Sequence, residues 1–185
     1  PGSRALLVRT YLASNQPARA LEAVQPLLAS PQAADPSTQL LIAETYLANG
    51  QLKAASQHFD VASKSPQQQR LAQVRMGQIA LASGDLAGGI RQLEEVTAQE
   101  GAPIQADLAL IAGYTRSGDS AKALQVAQAL VAKQPKSAMA YQVLGAVHGS
   151  RREYAAARTA FEKALAIDGA YLPAAAGLAQ LDLAD

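Results

Sequence analysis

Cysteine and tryptophan are both missing from this sequence, aromatics make up only 4% of it, and charged residues only 17%. Without cysteine there is no disulfide framework, no thiolate zinc site and no thiol nucleophile, although the compartment stays open. Lys and Arg nearly balance Asp and Glu, for a net charge of +1, and Arg151-Arg152 is the single adjacent basic pair. A nucleic-acid partner is therefore not expected, because counterion release needs a clustered basic stripe. No apolar run approaches the ~20 residues of a membrane-spanning helix, and no basic segment followed by an apolar one signals export. The opening Pro1-Gly2-Ser3 reads as a scar of tag removal, which puts the folded domain at residues 4–185.

The 49% of residues that are hydrophobic are mostly Ala and Leu, strong helix formers, so the expected class is all-α. A period of 34 residues organises them: Gly50, Gly84 and Gly118 recur at that interval, with Asn15 and Arg152 at the flanking positions. Gly and Asn suit the left-handed conformation that ends a helix. Arg152 does not, so its turn takes another geometry or carries strain. After each turn come Gln16, Gln51, Asp85, Asp119 and Glu153, polar groups suited to a helix N-terminus, and Pro17 fits a first-turn proline. The repeats run 1–34, 36–69, 70–103, 104–137 and 138–171, with Asp35 as a one-residue insertion and prolines 31, 36, 66, 103 and 135 at the joints.

Apolar residues three and four apart mark two helices per repeat, as in Leu40, Leu41, Tyr46 and Leu47, then Ala123, Leu124, Ala127, Leu130 and Val131. Ala20, Ala55, Gly89, Ala123 and Ala157 stand where the paired helices approach most closely, where a larger side chain would force them apart. Leu172 to Asp185 reads as the first helix of a sixth repeat, with Leu178 and Ala179 at the Leu and Gly positions. Its apolar surface suggests an array that continues, or a homodimer through this end.

The fifth repeat carries Tyr141, Leu144-Gly145, Tyr154, Ala157, Phe161, Ala164-Leu165 and Ile167-Asp168-Gly169. This pattern resembles the tetratricopeptide repeat family, with His148 where tyrosine is usual and Gly169 where proline is usual; Tyr11, Tyr46 and Tyr114 keep the tyrosine. The resemblance implies a right-handed α-solenoid of five hairpins plus one helix, with a concave groove lined by first helices. The groove positions are Leu6, Arg9 and Leu12; Leu40, Leu41, Glu44 and Leu47; Leu71, Val74, Arg75 and Gln78; Leu108, Ala109, Ala112 and Arg116; Met139, Gln142, Val143 and Ala146. These are mostly apolar and lack the Lys and Asn of the carboxylate clamp of some family members. An apolar extended or helical protein segment is thus the expected partner, with Arg9, Arg75 and Arg116 available to an acidic group.

Catalytic chemistry finds little support. His58 and His148 fall three repeats apart; His148 reads as a packing substitute for tyrosine and His58 as a surface residue. Glu44, Glu94 and Glu95 read as solvated carboxylates without a suitably spaced partner. Gly88-Gly89 lies inside a second helix, and no Gly-x-x-x-x-Gly-Lys loop is present. No cofactor or metal is called for, and the expected role is a non-catalytic scaffold.

A second, narrower resemblance rests on Gln105-Ala106-Asp107-Leu108-Ala109-Leu110, Lys133-Gln134-Pro135, Leu144-Gly145-Ala146-Val147, Ala155-Ala156-Ala157-Arg158, Tyr171-Leu172-Pro173-Ala174-Ala175 and Leu181-Asp182-Leu183-Ala184. These segments are similar to the repeat lipoproteins encoded with bacterial exopolysaccharide and PEP-CTERM sorting systems. That resemblance implies a periplasmic or outer-membrane-associated, lipid-anchored parent. The alternatives are a cytoplasmic adaptor, which the absent clamp argues against, and an accessory module of a larger enzyme.

Overall fold

Second helices bury an apolar stripe against helices of their own body, and this requirement sets the architecture. The computed structural model of the protein describes residues 2–183. Among them run eleven α-helices: α1 Gly2–Ala13, α2 Pro17–Leu28, α3 Pro36–Ala48, α4 Leu52–Ser63, α5 Gln69–Ala82, α6 Leu86–Thr97, α7 Ile104–Ser117, α8 Ser120–Lys133, α9 Ala138–Ser150, α10 Tyr154–Ile167 and α11 Leu172–Asp182. They pair as five helical hairpins followed by one further helix, an all-α fold. Pro1 of the expected scar and the last two residues of the expected sixth repeat lie outside the described residues, while Gly2 and Ser3 open α1.

The chain forms two compact bodies, Pro1–Pro103 and Ile104–Asp185, divided at the joint between the third and fourth repeats. The N-terminal body holds three hairpins. Its packing shows in two clusters: Val8 of α1, Ala20, Val24 and Leu27 of α2 and Leu41 and Ile42 of α3; then Ala43, Ala55, Phe59, Ala62, Ala72 and Ile79 across α3, α4 and α5. The C-terminal body repeats the scheme with Ala138, Ala157, Phe161, Ala164, Ala174 and Leu181 across α9, α10 and α11. Each large side chain so buried contributes about 1.5–3 kcal/mol.

The small residues expected at the closest approach do sit there. Ala20, Ala55 and Ala157 are 0% exposed, and a Cβ on Gly89 would meet the carbonyl oxygen of Gly77 at 2.8 Å. Phe161 is held between two glycines, since a Cβ on Gly145 or on Gly177 would come within 2.7 or 2.6 Å of its ring. In α11 the close-approach glycine is therefore Gly177, facing the preceding hairpin. Ala179, at the position expected to approach a partner helix, is exposed.

Local signals work as chemistry suggests, with two exceptions. Asp35, read as an insertion, is the N-cap of α3: its carboxylate accepts from the Thr38 N–H at 2.9 Å. Asp85 and Asp119 likewise accept from Gly88 and Lys122 N–H groups. Gln16, Gln51 and Glu153 make no side-chain cap. Gly50, Gly84 and Gly118 have φ of 71°, 93° and 82°, Asn15 has 54°, and Arg152 has 61°. Arg152 thus adopts the same left-handed turn as the glycines and carries its steric cost.

Replacing Arg152 by Gly removes that clash, partly offset by the greater freedom of glycine in the unfolded chain. The expected outcome is a stabilisation of about 1 kcal/mol or less, read as a higher urea midpoint with an unchanged m-value; a lower midpoint would contradict it.

Candidate functional site

Three consecutive first helices of the N-terminal body, α1, α3 and α5, place several of the expected groove residues around one recess of about 310 Å³. It is lined by Arg9, Leu12, Ser37, Leu40, Leu41, Glu44 and Leu71. Leu71 is 38% exposed, and Leu6 of α1, also expected in the groove, is 65% exposed. Leu41, although it reaches this recess, is only 6% exposed and belongs to the core cluster of α1, α2 and α3. Val74, also expected in the groove, is 0% exposed and packs inside. The correction has a simple cause: a first helix packs on its own second helix and on the second helix before it, as α3 does on α4 and α2 and α5 on α6 and α4, so little of its apolar surface is left free.

The charges of this region sort into two kinds. Arg75 Nε donates to Glu44 Oε1 at 2.7 Å, and its Nη1 donates to Gln78 Oε1 at 3.1 Å. Glu44, read as a solvated carboxylate, is instead a half-buried ion-pair partner. Arg75 spends its charge within the protein rather than offering it to a ligand. Arg9 is exposed and has no ion-pair partner among the described residues.

In the C-terminal body the expected groove residues differ in exposure. Gln142, with Ala146, lines a recess of about 360 Å³ against Pro173, Gly177 and Leu181 of α11. Leu108 and Met139 are half-buried, and Ala112 and Arg116 are exposed. Ala109 is 6% exposed and belongs to the core.

Two polar clusters were not foreseen. Asp107, 2% exposed, accepts from Lys133 Nζ through both oxygens at 3.0 Å, tying the first turn of α7 to the last turn of α8. At the Arg152 turn, Glu153 Oε2 lies 2.6 Å from His148 Nδ1, and Arg151 donates from Nε to Glu153 Oε1 at 2.9 Å and from Nη1 to Ser120 Oγ at 3.1 Å. The Arg151 hydrogen bond first, and then that of His148, hold the Glu153 carboxyl below the usual range. Both clusters join residues about 26 to 31 positions apart or across a strained turn, which a helical pattern alone does not signal.

His58, read as a surface residue, is half-buried. Its ring stacks on Tyr46 with centroids 5.4 Å apart and planes 11° from parallel, and Nδ1 lies 2.7 Å from Gln39 Oε1. Burial pushes its pKa down from the ordinary 6.5. The two histidines belong to different bodies. Among the described residues no three His, Asp or Glu side chains cluster as a metal site requires, and no helix is long and apolar enough to cross a membrane.

Paired helices repeating every 34 residues, with side-chain recesses along first helices, define a class: helical-repeat modules for protein interaction. The tetratricopeptide repeat model matches residues 6–68 and 108–171, more than half of the chain, and the chain belongs to the tetratricopeptide repeat family. Solved structures share the fold. MamA from Desulfovibrio magneticus RS-1, residue 41 to its end, is 21% identical with a TM-score of 0.68, covering 91% of this chain and 97% of that one. A tetratricopeptide repeat protein from Parabacteroides merdae is 19% identical with a TM-score of 0.68, covering 82% and 59%. YrrB, described as a TPR protein with an unusual peptide-binding site, is 15% identical with a TM-score of 0.63, covering 92% and 88%. No curated protein sequence matches.

Since the folded His58 binds its proton more weakly than the unfolded one, protonation costs folded-state stability. That stability is flat above the ordinary pKa of 6.5 and falls as pH drops through it. His58→Phe, which keeps a ring on Tyr46, should gain on the native protein as pH falls from about 7 to about 5, measured by urea unfolding across that range; parallel pH profiles would contradict it.

Proposed function

We propose that the chain is a non-catalytic scaffold that holds an extended or helical protein segment in the recess of α1, α3 and α5, and that it belongs to a bacterial cell-envelope tetratricopeptide lipoprotein supporting exopolysaccharide export or PEP-CTERM protein sorting.

The binding part rests on one observation, the composition of that recess. Leu12, Leu40 and Leu71 offer apolar contacts from three successive first helices, and Glu44 is already neutralised by Arg75. Arg9 is then the recess charge left for a ligand, so the segment that fits is apolar with one carboxylate. The description of YrrB, a protein of the same fold, as carrying a peptide-binding site is in keeping with this. The envelope part rests on the segments from Gln105 to Ala184 that are similar to the repeat lipoproteins of those systems; a periplasmic or outer-membrane-associated location follows from it.

A fluorescein-labelled peptide of alternating leucine and serine with one central glutamate should bind the intact protein by fluorescence anisotropy and lose ~10-fold or more in affinity with Arg9→Glu or Leu40→Glu. Binding unchanged by both substitutions would remove the recess as the site. For the location, the full-length protein in its host should fractionate with the envelope and incorporate labelled palmitate. Recovery in the cytosolic fraction would sink the envelope reading and leave the recess reading standing.

A further inference from the structure

The hairpins differ in what fills the cleft between their two helices. In the second, His58 of α4 lies over α3, stacked on Tyr46 and bonded to Gln39. In the fourth, Val126 stands at the position of His58 in the 34-residue register, and Lys122 places its ammonium 5.2 Å from the centre of the Tyr114 ring. In the fifth, the residues of α10 that correspond to Lys122 and His58 are Ala156 and Ala160. Both counterparts are too short to cover the α9 surface as His58 and Lys122 cover theirs. The register also gives the consequence for the first helix: Ile42 and Leu110 are 0% and 3% exposed, whereas their counterpart Leu144 is only partly buried.

What results is a recess of about 740 Å³ with Tyr141, Leu144 and His148 on one wall and Ala156, Thr159, Ala160 and Lys163 on the other. Tyr141, Leu144 and His148, three and four residues apart, share one face of α9. The His148 wall is held in place, because its Nδ1 is bonded to Glu153 and Glu153 to Arg151. The first hairpin also has alanine at the His58 position, Ala23, and Tyr11 at that of His148, but the counterpart of Tyr141 there is an exposed Arg4, so a second ring is missing from that wall.

We propose that this recess between α9 and α10 is a binding site for an aromatic side chain of a partner protein. The same fold shows the mode of occupancy one body away in sequence, where a planar ring lies on the first-helix aromatic of the second hairpin. A ring entering the fifth hairpin buries its faces against Tyr141, His148 and the two alanines, the kind of preformed apolar slot in which aromatic anchors concentrate binding energy. The site lies in the C-terminal body and is independent of the Arg9 recess.

The chain has no tryptophan, so indole emission comes only from an added probe. N-acetyl-tryptophanamide titrated against the whole chain should give a saturable emission shift with a Kd on the order of 1 mM or tighter, and amide NMR shifts around Tyr141, His148 and Ala160. Ala160→His, which copies the filler of the second hairpin, should weaken binding ~10-fold or more. His58→Ala, which empties the second hairpin, should create a second set of shifts around Tyr46 and Gln39. Should Ala160→His lose helical circular dichroism, Tyr141→Leu carries the same expectation. No saturable change, binding unaltered by whichever of these folds, or shifts confined to the N-terminal body would overturn the proposal; the last leaves the Arg9 recess reading untouched.

Discussion

The stripe that each second helix buries governs the rest of the molecule. It occupies three positions spaced four and three residues apart: Ala20, Val24 and Leu27; Ala55, Phe59 and Ala62; Gly89, Leu93 and Val96; Ala123, Ala127 and Leu130; Ala157, Phe161 and Ala164. All of these are buried. The leading residue must be small because the helices come closest there, and a large middle residue needs small residues facing it, as Phe59 has Ala43 in its cluster. Gly145 and Gly177 do this for Phe161, and Gly77 and Gly89 bring α5 and α6 to backbone contact. Since interiors are packed to crystal-like density, volume added on one helix has to be removed from the next.

Fixing that stripe fixes the helix ends, and the turns follow. A helix pair this close needs a tight reversal, which the left-handed residue at each turn supplies. Arg152 holds the conformation without the freedom of glycine, next to a network in which Glu153 joins His148 to Arg151, and Arg151 to Ser120 of α8. Glu153 thereby serves the turn rather than capping α10, whereas Asp85 and Asp119 cap their helices. The strained backbone and the polar network occur at the same place, so local strain is compensated by bonds across neighbouring elements.

Function depends on what the stripe leaves uncovered. Where a hairpin sets a side chain over its first-helix tyrosine, as His58 and Lys122 do, Ile42 and Leu110 are buried; where it carries alanines, as at Ala156 and Ala160, a recess remains. Charge follows the same logic in the N-terminal body. Glu44 and Arg75 neutralise each other, and Arg9 stays available beside leucines 12, 40 and 71. An interaction module of this family is differentiated by such small departures from an otherwise uniform repeat.

The 34-residue register, the helix pairs, the close-approach alanines and the left-handed turns were all legible in the sequence, because each is a local pattern with one physical cause. The stripe repeats at helical spacing, and Gly50, Gly84 and Gly118 repeat with it. Which apolar residues of the first helices face outward was not legible, since those helices are apolar on several sides. Leu41 and Val74 belong to the core, and Leu40 and Leu71 to a recess, only because of where neighbouring hairpins press. Asp107 with Lys133, Arg75 with Glu44 and His58 on Tyr46 were likewise decided by tertiary structure, because each joins residues that the chain keeps at least a helix apart.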